Sequence, residues 1–535
     1  MKCIQTALIS VADKTGLPQF VHRLIDQGVE ILATDGTHNF LLERDIRVRR
    51  VSDYTGFPEI LDGRVKTLHP KIHAGLLADR DQKEHRQQIE ERDIDTIDMV
   101  VVNLLPFESM VKDSEADIGE ALINIDIGGA ALIRSAAKNY PHVAVVTNPS
   151  KYDEVGDELE RRSGCLHEKT HYRLAVEAFE QTAHYDSAIA RHLGRARQDP
   201  GKHRDLFVLE LEKRQELRYG ENPHQTAAFY MERERTEPSV STADQVAGPE
   251  LSFNNIVDID VGLELVKEFD LPAVVCVKHA NPLGAATAES VHEAYRSAYL
   301  GDPQSAPGSV VVLNRTFDVP TAQCICDFSH GKDGEEPLPN FVEAIVAPTI
   351  DREAMKTLYN NLRRASAVRL LETGQLSAIC LDETQKGMRR VVGGMLVQDR
   401  DLLGFDRSAA EIVTDRVPTD AQMSDVGFAW ICCKHVKSNA VVVVRNGAIV
   451  GAGAGQMNRL EAARTAIGKA GDRSDGAVLA SDGFLLSESS LHKAKAAGIR
   501  VIIHPGGAER DEDIIREANE LGISMVLSGV RHFCH

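Results

Sequence analysis

Apolar positions along the chain fall into short strand-like runs, separated by segments whose apolar residues recur three and four apart. Over residues 1 to about 150 the runs "TALISV", "VEILAT", "DMVVVNLL" and "HVAVVTN" alternate with the helical patterns "LPQFVHRLIDQG" and "IGGAALIRSAAKN". That alternation predicts a mainly parallel sheet flanked by helices. Gly28 stands where the first helix would place its C′ residue. Ligands in such sheets bind beyond the carboxyl ends of the strands, so the loops after each run are the ones to inspect. From 151 to about 205, "KYDEVGDELERR" and "HEKTHYRLAVEAFEQTAHYDSAIARHLGRAR" predict charged amphipathic helices, and "QDPGKHRD" marks a boundary. A second α/β region follows, with the runs "PAVVCV", "SVVVLN", "FVEAIVAP", "NAVVVVRNGAIVGAGA", "GAVLAS", "IRVIIH" and "ISMVLS". Within it, "AVVCVKHANPLG" is expected to break at Asn281, Pro282 and Gly284. No short-period repeat is visible. The expected organisation is a domain over 1–203, with 151–203 as a helical extension, and a domain over 204–535 in two subdomains split near 365.

Composition narrows the function classes. At 535 residues the chain exceeds one ordinary core. A formal net charge of −19 argues against nucleic-acid binding, and an anionic small molecule would need locally clustered Lys, Arg and backbone N–H groups. The nine cysteines are odd in number, irregular in spacing and without a C-x-x-C pair, so reduced thiols in a cytoplasm are expected, with no disulfide frame or zinc site. No apolar run reaches about 18 residues, which excludes a membrane-spanning helix. The apolar part of "MKCIQTALISVADKTG" is short and lacks a small-residue cleavage pattern, so no secretory leader is expected.

Six stretches carry candidate chemistry. In "ATDGTHNF", Thr34, Gly36 and Thr37 offer hydroxyls and backbone N–H groups to a phosphate at a helix start; a tight turn with a Thr cap is the alternative. Asp35 counts against phosphate unless its side chain points away. "GRVKTLHPKIHAG" gathers Arg64, Lys66, His69, Lys71 and His73, either as an anion-binding loop or as a solvated basic one. In "NIDIGGAALIRSAAKN", Asp126 precedes a Gly-Gly helix start and Lys138 lies near that helix's end, a cap and a surface lysine unless chemistry needs them. "LRYGENPHQ" crowds Arg218, Tyr219, Asn222 and His224 into a loop. "VKHANPLG" sets Lys278 beside His279, a charge stabiliser and a proton acceptor, or a surface lysine and a capped turn. "IVGAGAGQMNR" is spaced G-x-G-x-G rather than G-x-G-x-x-G and lacks a placed acidic partner, so NAD binding is not expected.

Taken together, "SVADKTG", "TGFPEILDGRVKTLHPKIHAGLL", "DIGG…RSAAKN", "LRYGENPHQ", "LSFNNI", "VKHANPLG", "VGGMLVQDRDL", "VKSNA", "GAGAGQMNR" and "GVRHF" resemble one family. It is the bifunctional purine biosynthesis family that joins AICAR transformylase to IMP cyclohydrolase. The motifs stand in family order along nearly the whole chain. The resemblance implies a methylglyoxal-synthase-like N-terminal domain that closes formyl-AICAR to IMP. It also implies a C-terminal transformylase of two cytidine-deaminase-like α/β subdomains without zinc, which formylates AICAR from 10-formyltetrahydrofolate. A homodimer is implied, with no metal, nucleic acid or membrane partner. Carried over by motif, Lys278 and His279 match the catalytic pair of the transformylase. Asn439 and Gln456 match polar positions of that site, and Arg218, Tyr219, Asn254 and Arg531 match groups near the nucleotide. In the cyclohydrolase, Lys14, Thr34, Gly36, Thr37, Arg64, Lys66 and Thr67 match nucleotide-binding loops, and Lys66, Asp126 and Lys138 match residues assigned to ring closure.

The chain departs from the family pattern at sites. Leu105 replaces a tyrosine, Asp35 a glycine, Ala12 a serine, Leu283 a cysteine, Pro307 an aromatic and Ser309 a glycine. The segment Leu485 to Ser489 replaces one carrying two aromatics, an arginine and an aspartate beside the folate site. These changes imply weakened or altered folate use and slowed cyclisation. A purine-nucleotide-binding paralogue with little turnover is the alternative reading.

Overall fold

The computed structural model describes residues 2–105, 107, 118–195, 203–233, 237–330, 341–362, 364–376, 381, 385–484 and 488–535. The chain divides into two compact units, Met1–Glu210 and Leu211–His535.

The first unit holds a five-stranded, all-parallel sheet in the order Arg49–Arg50, Glu30–Ala33, Thr6–Val11, Met99–Asn103, Ala144–Val146. The central strands read as continuous apolar runs because helices cover both faces. Leu8, Val100 and Val102 pack into one buried cluster and Ala7, Ile9 and Val101 into the other. The helix Leu17–Asp26 ends with Gln27 as its cap and Gly28 at φ +80°. The predicted extension folds as helices Tyr152–Arg161 and Glu168–Arg195. Ala175, Ala178, Tyr185 and Ala188 of the long helix lie inside the first unit's core, so this segment is part of the domain rather than a tether.

One expectation about cysteine is overturned. Cys3 and Cys165 form a disulfide across a short antiparallel pair, Lys2–Cys3 with Cys165–Leu166. The two lie 162 positions apart, and strand register, invisible in cysteine spacing, brings them opposite each other. Cys276, Cys432 and Cys433 are buried, and burial raises each thiol, to about 12 for Cys276.

The second unit is built on a twelve-stranded mixed sheet. Strands between Asp244 and Glu372 form one half, and strands between Val441 and Leu527, with Glu411–Ile412 at the edge, form the other. They join where Asn281–Thr287 pairs with Ala448–Gly453. Each half has the same plan, an antiparallel hairpin followed outward by three parallel strands. The hairpins are Ala273–Lys278 with Asn281–Thr287, and Val441–Arg445 with Ala448–Gly453. Each closes through two residues in left-handed conformation, His279 and Ala280 in one, Asn446 and Gly447 in the other, the geometry of a tight type I′ turn. A helix-borne aspartate anchors each turn. Asp258 accepts from the Ala280 N–H at 2.6 Å, and Asp425 accepts from the Asn446 and Gly447 N–H groups at 2.9 and 2.7 Å.

This plan corrects the expected breaks. The chain turns at His279–Ala280, earlier than Asn281, and Pro282 and Gly284 lie inside a strand. Pro282 is tolerated because the ladder shifts register between Cys276 and Val277, so no donor is needed there. A side chain on Gly284 would overlap the Ala298 carbonyl. Likewise "NAVVVVRNGAIVGAGA" is two strands, divided by its Asn-Gly turn.

The G-x-G-x-G stretch also finds its reason. A Cβ on Gly451 would overlap the Ala466 carbonyl oxygen, and one on Gly453 the Ala462 carbonyl oxygen, both on the helix Arg459–Ala470. These glycines let that helix lie directly on the strand. Gly453→Ala is therefore expected to lower stability by about 1–3 kcal/mol through overpacking, read as a drop in the thermal unfolding midpoint; an unchanged midpoint would refute the packing role.

Candidate active sites

In the first unit, loops at the carboxyl ends of the parallel strands enclose a cavity of about 560 Å³. Ser10 enters from the end of Thr6–Val11 and Ala12 and Lys14 from the loop after it, Thr34, Gly36 and Thr37 from the start of the helix Asp35–Leu42, and Asn103 and Leu105 from the end of Met99–Asn103. Arg64, Lys66, Asp126 and Gly128 complete the polar lining. Leu105, Leu122, Ile123 and Ile127 are exposed apolar side chains on the same cavity. One cavity thus offers cations and helix-start N–H groups together with an apolar wall, which suits a flat base carrying an anionic group.

Local chemistry fixes these positions. The Asn103 side chain accepts from the N–H groups of Ala12 and Asp13, at 2.6 and 2.8 Å, and donates to the Asp13 carbonyl at 2.8 Å. Asn103, which the sequence reading passed over, holds the loop that carries Lys14. Its bond to the Ala12 backbone makes the lost serine hydroxyl dispensable for the loop's path. Thr34 caps the helix Asp35–Leu42 and is buried, and its hydroxyl meets the Ser10 hydroxyl at 3.2 Å. The Thr37 hydroxyl accepts from the Val11 N–H at 3.3 Å. Asp126 caps the helix Ile127–Lys138, its carboxylate accepting from the Gly129 N–H at 2.8 Å. The Gly-Gly pair makes this possible: a Cβ on Gly129 would collide with the Asp126 carboxylate, and one on Gly128 would stand 2.6 Å from the buried Thr67 hydroxyl.

Two sequence expectations change here. Asp35 does not line the cavity, and one of its carboxylate oxygens is buried; its N–H donates to the Glu59 carboxylate at 3.2 Å, which leaves the N–H groups of Gly36 and Thr37 for an anion. Lys138 sits exposed in the last turn of the helix that Asp126 caps. Twelve residues at 1.5 Å each put about 18 Å between them, so one subunit does not bring Lys138 to the Asp126 carboxylate. The anion reading predicts that IMP binds at least about a hundredfold more tightly than inosine, about 2.7 kcal/mol, as several charge-assisted hydrogen bonds would give. Calorimetry on both ligands measures this, and equal affinities would refute it.

In the second unit, Lys278 ends its strand with its ammonium donating to the carbonyl oxygens of Ser305 and Pro307, at 3.2 and 2.7 Å. Two of its three protons are thus committed, which aims the third. Because backbone carbonyls do this, Pro307 serves where the family has an aromatic. His279 projects exposed from the turn anchored by Asp258. Burial raises the Asp258 carboxyl, against the turn's N–H groups and the nearby charges of His279 and Lys278. The Asn281 carboxamide donates to the His279 carbonyl at 3.1 Å and accepts from the Lys437 N–H at 3.1 Å. That ties the turn to the loop carrying Asn439, which follows a cis Ser438–Asn439 peptide bond. Asn439 and Gln456 bond reciprocally through their backbones, and the Asn439 side chain donates to the Gln456 carbonyl at 2.8 Å.

The carboxyl-terminal segment closes on the same loop, with Ser438 bonded to both Cys534 and Asp482. Arg459, between the rings of Phe484 and Phe533 at 5.5 Å from each, was not singled out from the sequence. Its buried donors without hydrogen-bond partners and the charge of Asp482 mark it as a group of this site. Arg531 lies over Phe533 at 4.2 Å and Arg218 over Tyr219 at 6.0 Å. Arg218, Asn254 and Arg531 are exposed. Leu283 is buried in an apolar cluster, so its departure from cysteine is a packing matter. Ser309 is likewise buried, in a strand. Leu485, Leu486 and Ser487 lie outside the described residues, as does the Glu488 side chain.

Among the described residues Asp79, Asp81 and His142 place one ligand atom each within 4.8 Å of one another. Their mutual bonds account for the cluster: Asp79 accepts from the Asp81 N–H and the Gln82 side chain and meets His142 at 3.2 Å, and these contacts hold its carboxyl low.

Comparison with known proteins decides between family readings. A model of the AICARFT/IMPCHase bienzyme matches residues 136–469, and a model of the MGS-like domain matches 16–131. The chain belongs to the AICARFT/IMPCHase bienzyme family. A bifunctional purine biosynthesis protein PurH of Bacillus cereus (strain AH187) is 44% identical over 531 residues, 99% of this chain and 100% of that one. The protein of the same name from Bacillus thuringiensis (strain Al Hakam) is 44% identical over 529 residues, 99% of each chain. A solved chain described as the crystal structure of ForH is 32% identical and covers 36% of this chain and 100% of its own, with a TM-score of 0.33. As a member of the bienzyme family the chain is a bifunctional enzyme of the last two steps of purine biosynthesis, an AICAR transformylase and IMP cyclohydrolase. Nothing in the comparisons favours a paralogue without turnover.

Proposed function

We propose that the two activities divide between the two units, ring closure in Met1–Glu210 and formyl transfer in Leu211–His535. The observation that carries the reading is the first unit's cavity, where Lys66 and Asp126 share one lining with an apolar wall. There the carboxamide nitrogen of formyl-AICAR attacks the formyl carbon, and water leaves to give IMP. Lys66 polarises the formyl oxygen and Asp126 orients the carboxamide nucleophile. Lys14, Arg64 and the N–H groups from Gly36 to Thr37 take the phosphate, and Leu105 supplies apolar contact where the family's tyrosine stands.

In the second unit the 5-amine of AICAR attacks the formyl carbon of 10-formyltetrahydrofolate. His279 takes the amine proton, and Lys278, aimed by two carbonyls, stabilises developing charge or protonates the departing folate nitrogen. Arg218, Tyr219, Asn254, Asn439, Gln456 and Arg531 hold the substrates. No metal is required by this scheme. A homodimer with a cytoplasmic location completes the reading, and a partner subunit would be the source of a lysine such as Lys138 at the ring-closing site.

The test is a paired assay on the full chain, AICAR formylation from 10-formyltetrahydrofolate and formyl-AICAR cyclisation measured separately. Both are expected to turn over at about 1–10 per second. Cyclisation without folate-dependent formylation would refute the second half of the reading and point to another formyl donor.

A further inference from the structure

Asp126 reaches the cavity from a turn, and that turn has an external support. The Asp126 N–H donates to the Tyr185 hydroxyl oxygen at 2.7 Å, and the same hydroxyl donates to the Asn124 carbonyl at 3.3 Å. One phenol thus bridges the two ends of the Asn124–Asp126 segment, immediately before the helix that Asp126 caps. Tyr185 belongs to the long helix Glu168–Arg195 and is 5% exposed. Its ring meets Phe107 edge-on, with centroids 6.3 Å apart, and Phe107 in turn meets His192 of the same helix at 5.7 Å. The ring is therefore clamped, and only its oxygen reaches the turn. Burial raises the phenol, which keeps its proton on for donation to Asn124.

A purely structural tyrosine in a helix-packed core needs its ring, and its hydroxyl need only find some acceptor. Here the hydroxyl has both an incoming and an outgoing bond, and both end on the segment that delivers Asp126. The Asp126 carboxylate is engaged only at Gly129 among the described residues. Its direction into the cavity therefore depends on the backbone between Asn124 and Gly129. That backbone is held from one side by the Gly-Gly packing on Thr67 and from the other by Tyr185.

We propose that Tyr185 is a positioning residue for ring closure, its hydroxyl fixing the turn that presents the Asp126 carboxylate to the substrate. The inference rests on the reading of Asp126 as the group that orients the carboxamide. It makes the helical extension a working part of the cyclohydrolase, reaching the site through hydrogen bonds rather than through contact with the reacting atoms.

The experiment compares native protein, Tyr185→Phe, Asp126→Ala and the double variant, all as full chains. Tyr185→Phe keeps the ring and its packing. Its kcat for formyl-AICAR cyclisation is expected to fall about tenfold with KM held within about twofold, the cost of roughly one hydrogen bond expressed in the transition state. Formyl transfer by the same preparation is expected to be unchanged, which shows that the chain is folded and at full concentration. In the Asp126→Ala background, adding Tyr185→Phe is expected to cost nothing further, because the hydroxyl acts only through Asp126.

Native kcat in Tyr185→Phe, a change confined to KM, or full additivity in the double variant would each overturn the inference while leaving the role of Asp126 intact. Undiminished cyclisation by Asp126→Ala would instead overturn the reading of the site, and the inference with it.

Discussion

His279→Asn is expected to abolish most formyl transfer while leaving the fold and ring closure untouched. The choice of asparagine follows from backbone geometry. His279 lies at φ +54° in a two-residue turn, a region open to few side chains besides glycine and asparagine. Asn446 occupies the matching position of the second hairpin at φ +52°, so the fold already carries asparagine in this setting. The Asp258 anchor bonds to the backbone at Ala280 and does not depend on the side chain at 279. What asparagine removes is the imidazole proposed to accept the amine proton. Loss of a general base costs about 10²–10⁴ in rate, so kcat for AICAR formylation should fall by that range with a native unfolding midpoint. Cyclisation of formyl-AICAR by the same sample is the control. Formylation within about twofold of native would refute proton transfer by His279, since that is far less than a base contributes.

Lys66→Met is expected to do the converse. Methionine keeps an unbranched, flexible side chain and deletes the charge. Lys66 lines the cavity beside Arg64, and its amine lies near Gly63, a left-handed glycine at φ +82° that shapes the approach of the loop. A preorganised charge aimed at a developing oxyanion is worth about 10²–10³ in kcat, and cyclisation should fall accordingly. The proposed phosphate contacts of Arg64, Lys14 and the helix start are left in place, so KM for formyl-AICAR should move much less than kcat. Formyl transfer should be native. A variant that loses only KM would show that Lys66 binds the phosphate and has no part in polarising the formyl group.

These two results read separate halves of one chain, and the sequence disclosed those halves unequally. The parallel sheet of the first unit was legible because four of its strands lie in apolar runs and its helices keep a clean period, whereas the edge strand Arg49–Arg50 carries no such signal. Thr34, Gly36, Thr37 and Asp126 could be named because each lies at a helix start, Arg64 and Lys66 because basic residues crowd one punctuated loop, and Lys14 only through its motif. Lys138 stands near the end of its helix, as its motif implied, and the length of that helix keeps it from Asp126 within one subunit. Asn103, Tyr185 and Arg459 escaped because their partners are remote in sequence: Asn103 bonds 91 positions away and Tyr185 bonds 59 away. The disulfide escaped for the same reason. The turn at His279 was misjudged because Pro282 and Gly284 are the louder local signals. Both are accommodated by tertiary context, a bulge for one and close helix approach for the other.

The matched halves of the second unit supply an internal control for the proposed site. The stretches "AVVCVKHANPLGAAT" and "AVVVVRNGAIVGAGA" fall on equivalent hairpins, each with its aspartate beneath. The second unit therefore repeats one hairpin plan, and the proposed chemistry uses only the first of the two turns. The second turn carries Asn-Gly, the pair that a tight hairpin turn prefers. Against that baseline the first turn places two side chains, His279 and Ala280, where the backbone favours Asn-Gly, a local cost that the proposed chemistry at His279 would explain.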